Sequence, residues 1–283
     1  MPKIAIVTDS GCDLPKALQE QHGIHVVPLV VRFGTEVYLD GPLTLDEFWN
    51  KVQRGPSHPE TSQPSSGMFE EAFAPLVGQG YRVLCPVITS KHSGTFNSAY
   101  AASLSFPGQV AVFDTLSLSL GQGYQAIAAA QAAADRNSLE EIIALLESIR
   151  ARTHLFIGLD TIEYLRRGGR ADQIIPVLER VVRVLKIKPL LELADGQLKL
   201  LGAARSHEKS RQRIQEEVIR YGPAEMLIAA HTRCADEVSG FAQALAERLD
   251  FPFEQVMIAE AGPALSSHAG PGVMAAAIVQ RAA

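Results

Sequence analysis

The most restrictive feature of this sequence is the alternation of short, almost wholly apolar runs with longer stretches of helical period. Lys3–Thr8, His25–Val31, Arg82–Ile88, Val110–Phe113 and Leu155–Leu159 are too short for ordinary helices and too uniformly apolar for strands with one wet face. They read as buried parallel strands, and the stretches between them as the helices that cover such a sheet. The fold class is α/β. Two helix starts are marked by their chemistry, because Thr44 with Glu47 and Ser138 with Glu141 have the spacing of a capping box.

Beyond Leu159 the texture changes. Arg166-Arg167-Gly168-Gly169-Arg170 makes a basic, glycine-broken turn, and Pro189–Leu193 and Gln197–Leu201 flank Asp195-Gly196, a strong hairpin signal. These features predict two domains, residues 1–159 with a parallel sheet flanked by helices and residues 160–283 with a mixed sheet. The second would continue as a helix over Ser206–Arg220, a strand over Met226–Ala230, a helix over Ala235–Arg248, a strand over Phe253–Ile258 and a last helix from Gly272.

The totals narrow the function classes. With 283 residues, 47% of them hydrophobic, the chain can bury a sizeable core. A net charge of -5 offers no excess of cations to neutralise a phosphate backbone, so nucleic acid is not an expected partner. Cys12, Cys85 and Cys234 are odd in number and scattered, which argues against a disulfide framework or a zinc site. The opening apolar run stops at Thr8-Asp9-Ser10, short of a signal peptide or a membrane span, so the expected location is the cytoplasm without stable membrane insertion.

Three segments carry side chains suited to chemistry. Thr61-Ser62-Gln63-Pro64-Ser65 precedes a helical stretch starting near Gly67; Ser65 or Ser66 reads as its N-cap, and Thr61 lies too early for that task. Thr89-Ser90-Lys91-His92-Ser93-Gly94-Thr95 follows a strand and leads into a helix, the place where amides and the helix dipole favour an anion. Ser93 can equally be a helix cap, and the spacing does not separate the two readings. Gly262–Gly272 reads as a rigid glycine- and proline-rich loop whose only side chain able to carry positive charge is His268; an isolated loop histidine is usually incidental, while flanking glycines allow close approach to a ligand.

No phosphate loop, GxSxG elbow, HExxH or tight carboxylate cluster is present. Gly121-Gln122-Gly123-Tyr124-Gln125-Ala126 matches a dinucleotide fingerprint loosely, but it begins several residues after the strand and within a stretch that reads as helix from Ser117, so close helix packing is the preferred account.

Taken together, Val7-Thr8-Asp9-Ser10, Thr61-Ser62-Gln63-Pro64-Ser65, Ser90–Thr95, Leu165–Arg170 and His268-Ala269-Gly270-Pro271-Gly272 resemble the DegV family, in family order from end to end. The resemblance implies a two-domain α/β protein enclosing a long-chain fatty acid such as palmitate at the domain junction. Its carboxylate would be held by Thr61 and Ser93, with Gly94 and Thr95 in the same turn and His268 beside the head group. It also implies a non-catalytic role without cofactor or metal: a separate fatty acid kinase phosphorylates the bound acid for phospholipid synthesis, and Arg170 and Arg205 face that kinase. Two alternatives stand beside it, an acyl hydrolase using Ser93 and His268, and a regulatory module that carries lipid as a fold-stabilising ligand.

Overall fold

Pro28 interrupts what would otherwise be one apolar strand, since it has no amide to donate and restrains the residue before it. The computed structural model, which describes residues 3–170, 174–176, 179 and 187–282, accordingly splits the expected strand His25–Val31 in two. Ile24–Val27 (β2) runs parallel to Ile4–Asp9 (β1), and Val30–Phe33 (β3) belongs to a different sheet. Between them Leu29 turns the chain, its amide donating to Ser10 Oγ at 2.9 Å and its carbonyl accepting from Asp40 N at 2.8 Å.

The chain divides into two compact units, residues 1–151 with 262–264, and residues 152–261 with 265–283. In the first, β2, β1, Arg82–Val87 (β6) and Val110–Asp114 (β7) form a parallel sheet in that order. Alternation along these strands sends side chains to two covered faces. Val7, Val83 and Cys85 enter a cluster with Phe69 and Phe73 of Ser66–Gly78 (α3) and Ala99 of Thr95–Ser103 (α4). Leu120–Ala134 (α5) also packs on β1, and Leu139–Ala151 (α6) packs on α5. A smaller antiparallel sheet places β3 between Glu36–Leu39 (β4) and Pro59–Ser62 (β5). Phe33, Phe48 and Trp49 fill its core, the last two from Leu45–Arg54 (α2). The remaining helix of this unit is Lys16–His22 (α1).

Both capping boxes form. Thr44 Oγ1 accepts from Glu47 N while Glu47 Oε2 accepts from Thr44 N, and Ser138 and Glu141 make the same exchange.

The second unit is a six-stranded mixed sheet. Its strands are Thr153–Gly158 (β8), Lys188–Ala194 (β9), Gln197–Ala204 (β10), Ala224–His231 (β11), Met257–Glu260 (β12) and Met274–Gln280 (β13), in the order β10-β9-β8-β13-β11-β12. Among these strands only β11 and β12 pair in parallel. His207–Ile219 (α8) and Ala235–Arg248 (α9) cover one face through Ile214, Val218, Phe241 and Leu245. Glu163–Gly168 (α7) contributes Leu165 to a second apolar cluster with Leu159, Leu191 and Val273.

The Asp195-Gly196 hairpin forms, with both residues at positive φ (54° and 77°). Four further expectations are corrected. The strand expected over Phe253–Ile258 begins only at Met257, because Phe253–Gln255 form a single 3-10 turn after Pro252. The strand expected over Leu155–Leu159 spans 153–158 and pairs with β13 and β9 of the second sheet. The helix expected from Gly272 is the strand β13: its Ala-rich run suits a helix, but pairing on both sides with β8 and β11 overrides that propensity. The expected loop over 262–272 contains a short helix, Pro263–Ala269 (α10), which ends at Gly270 with φ 75°.

The dinucleotide-like glycines serve packing, as the sequence suggests, although α5 starts at Leu120 and Ser117–Ser119 are not helical. A Cβ on Gly123 would lie 2.8 Å from the carbonyl oxygen of Cys12 and 2.9 Å from Leu14 Cδ2. Gly123→Ala should therefore lower stability by about 1–3 kcal/mol despite the better helix former, read from the urea midpoint. An unchanged or higher midpoint would refute this tight approach.

Candidate functional site

Loops at the carboxyl ends of parallel strands gather helix N-termini and free amides, and here they are organised around one buried carboxylate. Asp9 ends β1 and is wholly buried. Its Oδ1 accepts from Gly11 N at 2.9 Å, and its Oδ2 accepts from Ile88 N at 2.8 Å and from Gln122 Nε2 of α5 at 3.0 Å. The same Nε2 donates to Thr8 Oγ1, which itself donates to the carbonyl of Pro86 at 2.6 Å.

From Ile88 the chain enters the turn that carries Ser93. Thr89 N donates to the carbonyl of Ser117 at 2.9 Å, and Ser90 N donates to Asp114 Oδ1 at 3.2 Å. Ser93 Oγ lies 2.7 Å from Thr95 Oγ1 and accepts from Thr95 N at 3.2 Å. It therefore satisfies an N-terminal amide of α4, whose N-cap position, Gly94, has no side chain to do so. The capping reading of the turn is the one observed, and the hydroxyl that caps the helix lies at its N-terminus.

Thr61 lies on β5, a half-buried residue paired with Val31. Ser65 is the N-cap of α3, accepting from Met68 N at 3.3 Å, so capping belongs to Ser65 and leaves Thr61 to its strand. The segment between reaches the second turn directly. A Cβ on Gly94 would lie 2.8 Å from Gln63 Nε2, so the absence of a side chain at 94 lets the Gln63 amide settle against the turn. Thr61 and Ser93 thus sit two residues and one residue from a shared contact.

Two further carboxylates, unassigned by the sequence reading, accompany Asp9. Asp13 Oδ2 accepts from Ser119 Oγ at 2.6 Å and its Oδ1 from Gly262 N at 2.9 Å. Asp40 Oδ2 accepts from Ser10 Oγ at 2.6 Å and its Oδ1 from Ala264 N at 3.4 Å. Burial pushes Asp9 and Asp40 up to about 6 and Asp13 up to about 7, against hydrogen bonds that pull each down. The only sequence signal was a charge directly after an apolar strand, at Thr8-Asp9-Ser10.

In the second unit the structure brings His268 against α7. A Cβ on Gly168 would collide with the His268 imidazole, and one on Gly270 would lie 2.5 Å from the Tyr164 ring. Thr232 fixes the loop after α10: its Oγ1 donates to the carbonyl of Gly270 at 2.6 Å and accepts from Val273 N at 2.9 Å. Arg170 follows Gly169, which ends α7 at φ 63°, and Arg205 is exposed in the bend between β10 and α8. Among the described residues no group of His, Cys, Asp and Glu could hold a metal ion, and no helix is long and apolar enough to cross a membrane.

The family model described as "Uncharacterised protein, DegV family" matches residues 3–281. A DegV domain-containing protein of Clostridium perfringens is 31% identical over 97% of this chain and 97% of its own. A solved structure described as "Fatty Acid Binding of a DegV family Protein from Thermus thermophilus" superposes with a TM-score of 0.89 at 33% identity, covering 99% of this chain and 100% of that one. A stearic acid-binding protein from Eubacterium ventriosum gives a TM-score of 0.89 at 27% identity, covering 99% and 98%.

The buried aspartates set a sign for the pH dependence. Their folded pKa values lie above the ordinary carboxylate value of 3.8, so the stability they contribute is complete below that value and is lost as pH rises through about 6 to 7. Lowering pH from 7.5 to 5.5 should strengthen the protein by up to ~1.4 kcal/mol per pH unit for each proton taken up. His154 and His231, held below their usual value by burial, pull the other way, so the informative comparison is with Asp40→Asn. That variant should lose part of the gain in urea midpoint. Parallel midpoint-versus-pH curves for the two proteins would rule the account out.

Proposed function

The chain belongs to the DegV family, and we propose that it is a cytoplasmic fatty-acid-binding protein that holds a long-chain carboxylic acid by its head group. Thr61 and Ser93 are the head-group ligands in this reading. The observation that carries it is the paired turn of the first unit, where the segment after β5 rests on Gly94 beside a hydroxyl at the N-terminus of α4. Near-complete coverage by a Thermus thermophilus relative described as binding fatty acid supports it.

The energetics suit a carrier. About fourteen methylenes leaving water at roughly 0.8 kcal/mol each offer on the order of 10 kcal/mol before ordering costs, so the tail can supply most of the affinity. The head group's cost is desolvation, which neutral hydroxyl donors and helix amides offset while fixing its orientation. Orientation is what an acceptor of a phosphoryl group must have, because that reaction depends on positioning and charge stabilisation. In this reading a separate kinase brings nucleotide and magnesium, Arg170 and Arg205 face it, and the product is an acyl phosphate for phospholipid synthesis. No second reading is favoured: Ser93 Oγ is engaged by Thr95 at the start of α4.

Mass spectrometry of lipid extracted from the purified protein should find long-chain fatty acid at near one per chain. Thr61→Ala and Ser93→Ala should each weaken retention by roughly 1–3 kcal/mol per lost charge-assisted bond without unfolding the protein. With a fatty acid kinase added, acyl phosphate should form from wild type and fall in both variants. Unchanged lipid content in both would remove the assignment of Thr61 and Ser93. Lipid binding without any kinase-dependent product would leave a carrier and remove the kinase role.

A further inference from the structure

The glycine at position 94 is not required by its own backbone. Its φ of -79° and ψ of 3° are open to residues that carry a Cβ, unlike the positive φ of glycines such as Gly169 and Gly270. What excludes a side chain is Gln63. The three atoms nearest to a Cβ at 94 are all its own, Nε2 at 2.8 Å, Cδ at 2.9 Å and Oε1 at 3.3 Å. Such similar distances mean that the whole carboxamide, rather than one end of it, lies over the turn.

The other end of this contact is set by β5. Pro64 restricts Gln63 to extended backbone, and residues two apart in an extended run share a face, so Gln63 lies on the side of the segment that carries Thr61. One side chain therefore starts beside Thr61 and ends over the residue after Ser93. Gln63 is exposed, so no buried core holds it in that place.

Counting donors shows what such an amide can supply. A carboxylate offers about four lone-pair sites, while the hydroxyls of Thr61 and Ser93 carry one hydrogen each. Ser93 Oγ already accepts from Thr95 N, and it shares a hydrogen with Thr95 Oγ1 across 2.7 Å. A head group taken out of water with only these partners would stay short of donors, which is unfavourable. The Gln63 amide brings two N–H groups to the same place and carries no charge of its own.

We propose that Gln63 is a further head-group ligand and that the glycine at 94 is what admits it. This rests on Thr61 and Ser93 holding a fatty acid. The Gln63 amide donates to the carboxylate alongside the two hydroxyls. A glutamate in its place would set a like charge against the head group, and a side chain at 94 would push the amide away.

The test uses the full chain, with Kd for palmitate and for hexadecanol read by competition with a fluorescent fatty acid. Gln63→Glu should raise the Kd for palmitate about tenfold or more and that for the uncharged alcohol by less than about threefold. Gln63→Met, similar in length but without a donor, should fall between wild type and Gln63→Glu for palmitate. Gly94→Ala should weaken palmitate as well. Combined with Gln63→Met it should cost less than the product of the two single losses, because both changes remove one contact. Palmitate binding by Gln63→Glu equal to wild type overturns the proposal, and so does an equal loss of palmitate and hexadecanol, which would mark Gln63 as packing alone. In either case tight palmitate binding by the wild type would leave the fatty acid reading standing, whereas a wild type that binds no palmitate overturns both.

Discussion

The first unit depends on the Asp9 carboxylate. It is fully buried, yet it spends both oxygens on amides that belong to three different parts of the chain: its own following turn, the end of β6 and the start of α5. A lone carboxylate in such a place would be costly, and those donors are what make it tolerable. In return the carboxyl ends of β1 and β6 are held at a set spacing. The turn that follows Ile88 and carries Ser93 starts from that knot. Asp40 extends the arrangement through Ser10, whose hydroxyl also accepts from Leu29, so the point where the chain leaves one sheet for another is tied to the same place.

What could be read directly from the residues was whatever depends on near neighbours. The capping boxes at Thr44 and Ser138, the Asp195-Gly196 hairpin and the α/β class need only a few adjacent side chains or a repeating period, and all of them form. The failures share the opposite property. Whether Met274–Gln280 is helix or strand is decided by β8 and β11, which lie about 120 and 45 residues earlier, and an alanine-rich run does not disclose them. The aspartate group joins positions 9, 13 and 40, with donors from 88, 119, 122 and 262, and no spacing rule announces it. Pro28 is a local signal of a different kind, since a proline inside an apolar run argues against a single strand.

The candidate site was legible in a mixed way. The turn after β6 was recognisable as a place for an anion, but whether Ser93 caps or binds was not, and the geometry gives it a capping bond without turning it away from the helix end. Thr61 could be separated from capping only by elimination, and Ser65 now performs that task. The contact between Gln63 and Gly94, which brings the two segments together, has no signature beyond a glycine in a polar turn.

The place of β13 also bears on how the second unit can assemble. Two strands formed well before it, β8 and β11, both take it as their neighbour, and they have no pairing with each other. Until residues 274–280 arrive, each must keep an open edge, and the sheet exists as two halves, β10-β9-β8 and β11-β12. Its pairing with β8 joins Ala277 to Leu155, a wider separation than that of Ile4 from Arg82 in the parallel sheet, which favours late closure of this sheet in folding. A nascent or shortened chain lacking that one segment would present two adhesive edges at once, the condition under which β-rich intermediates find one another.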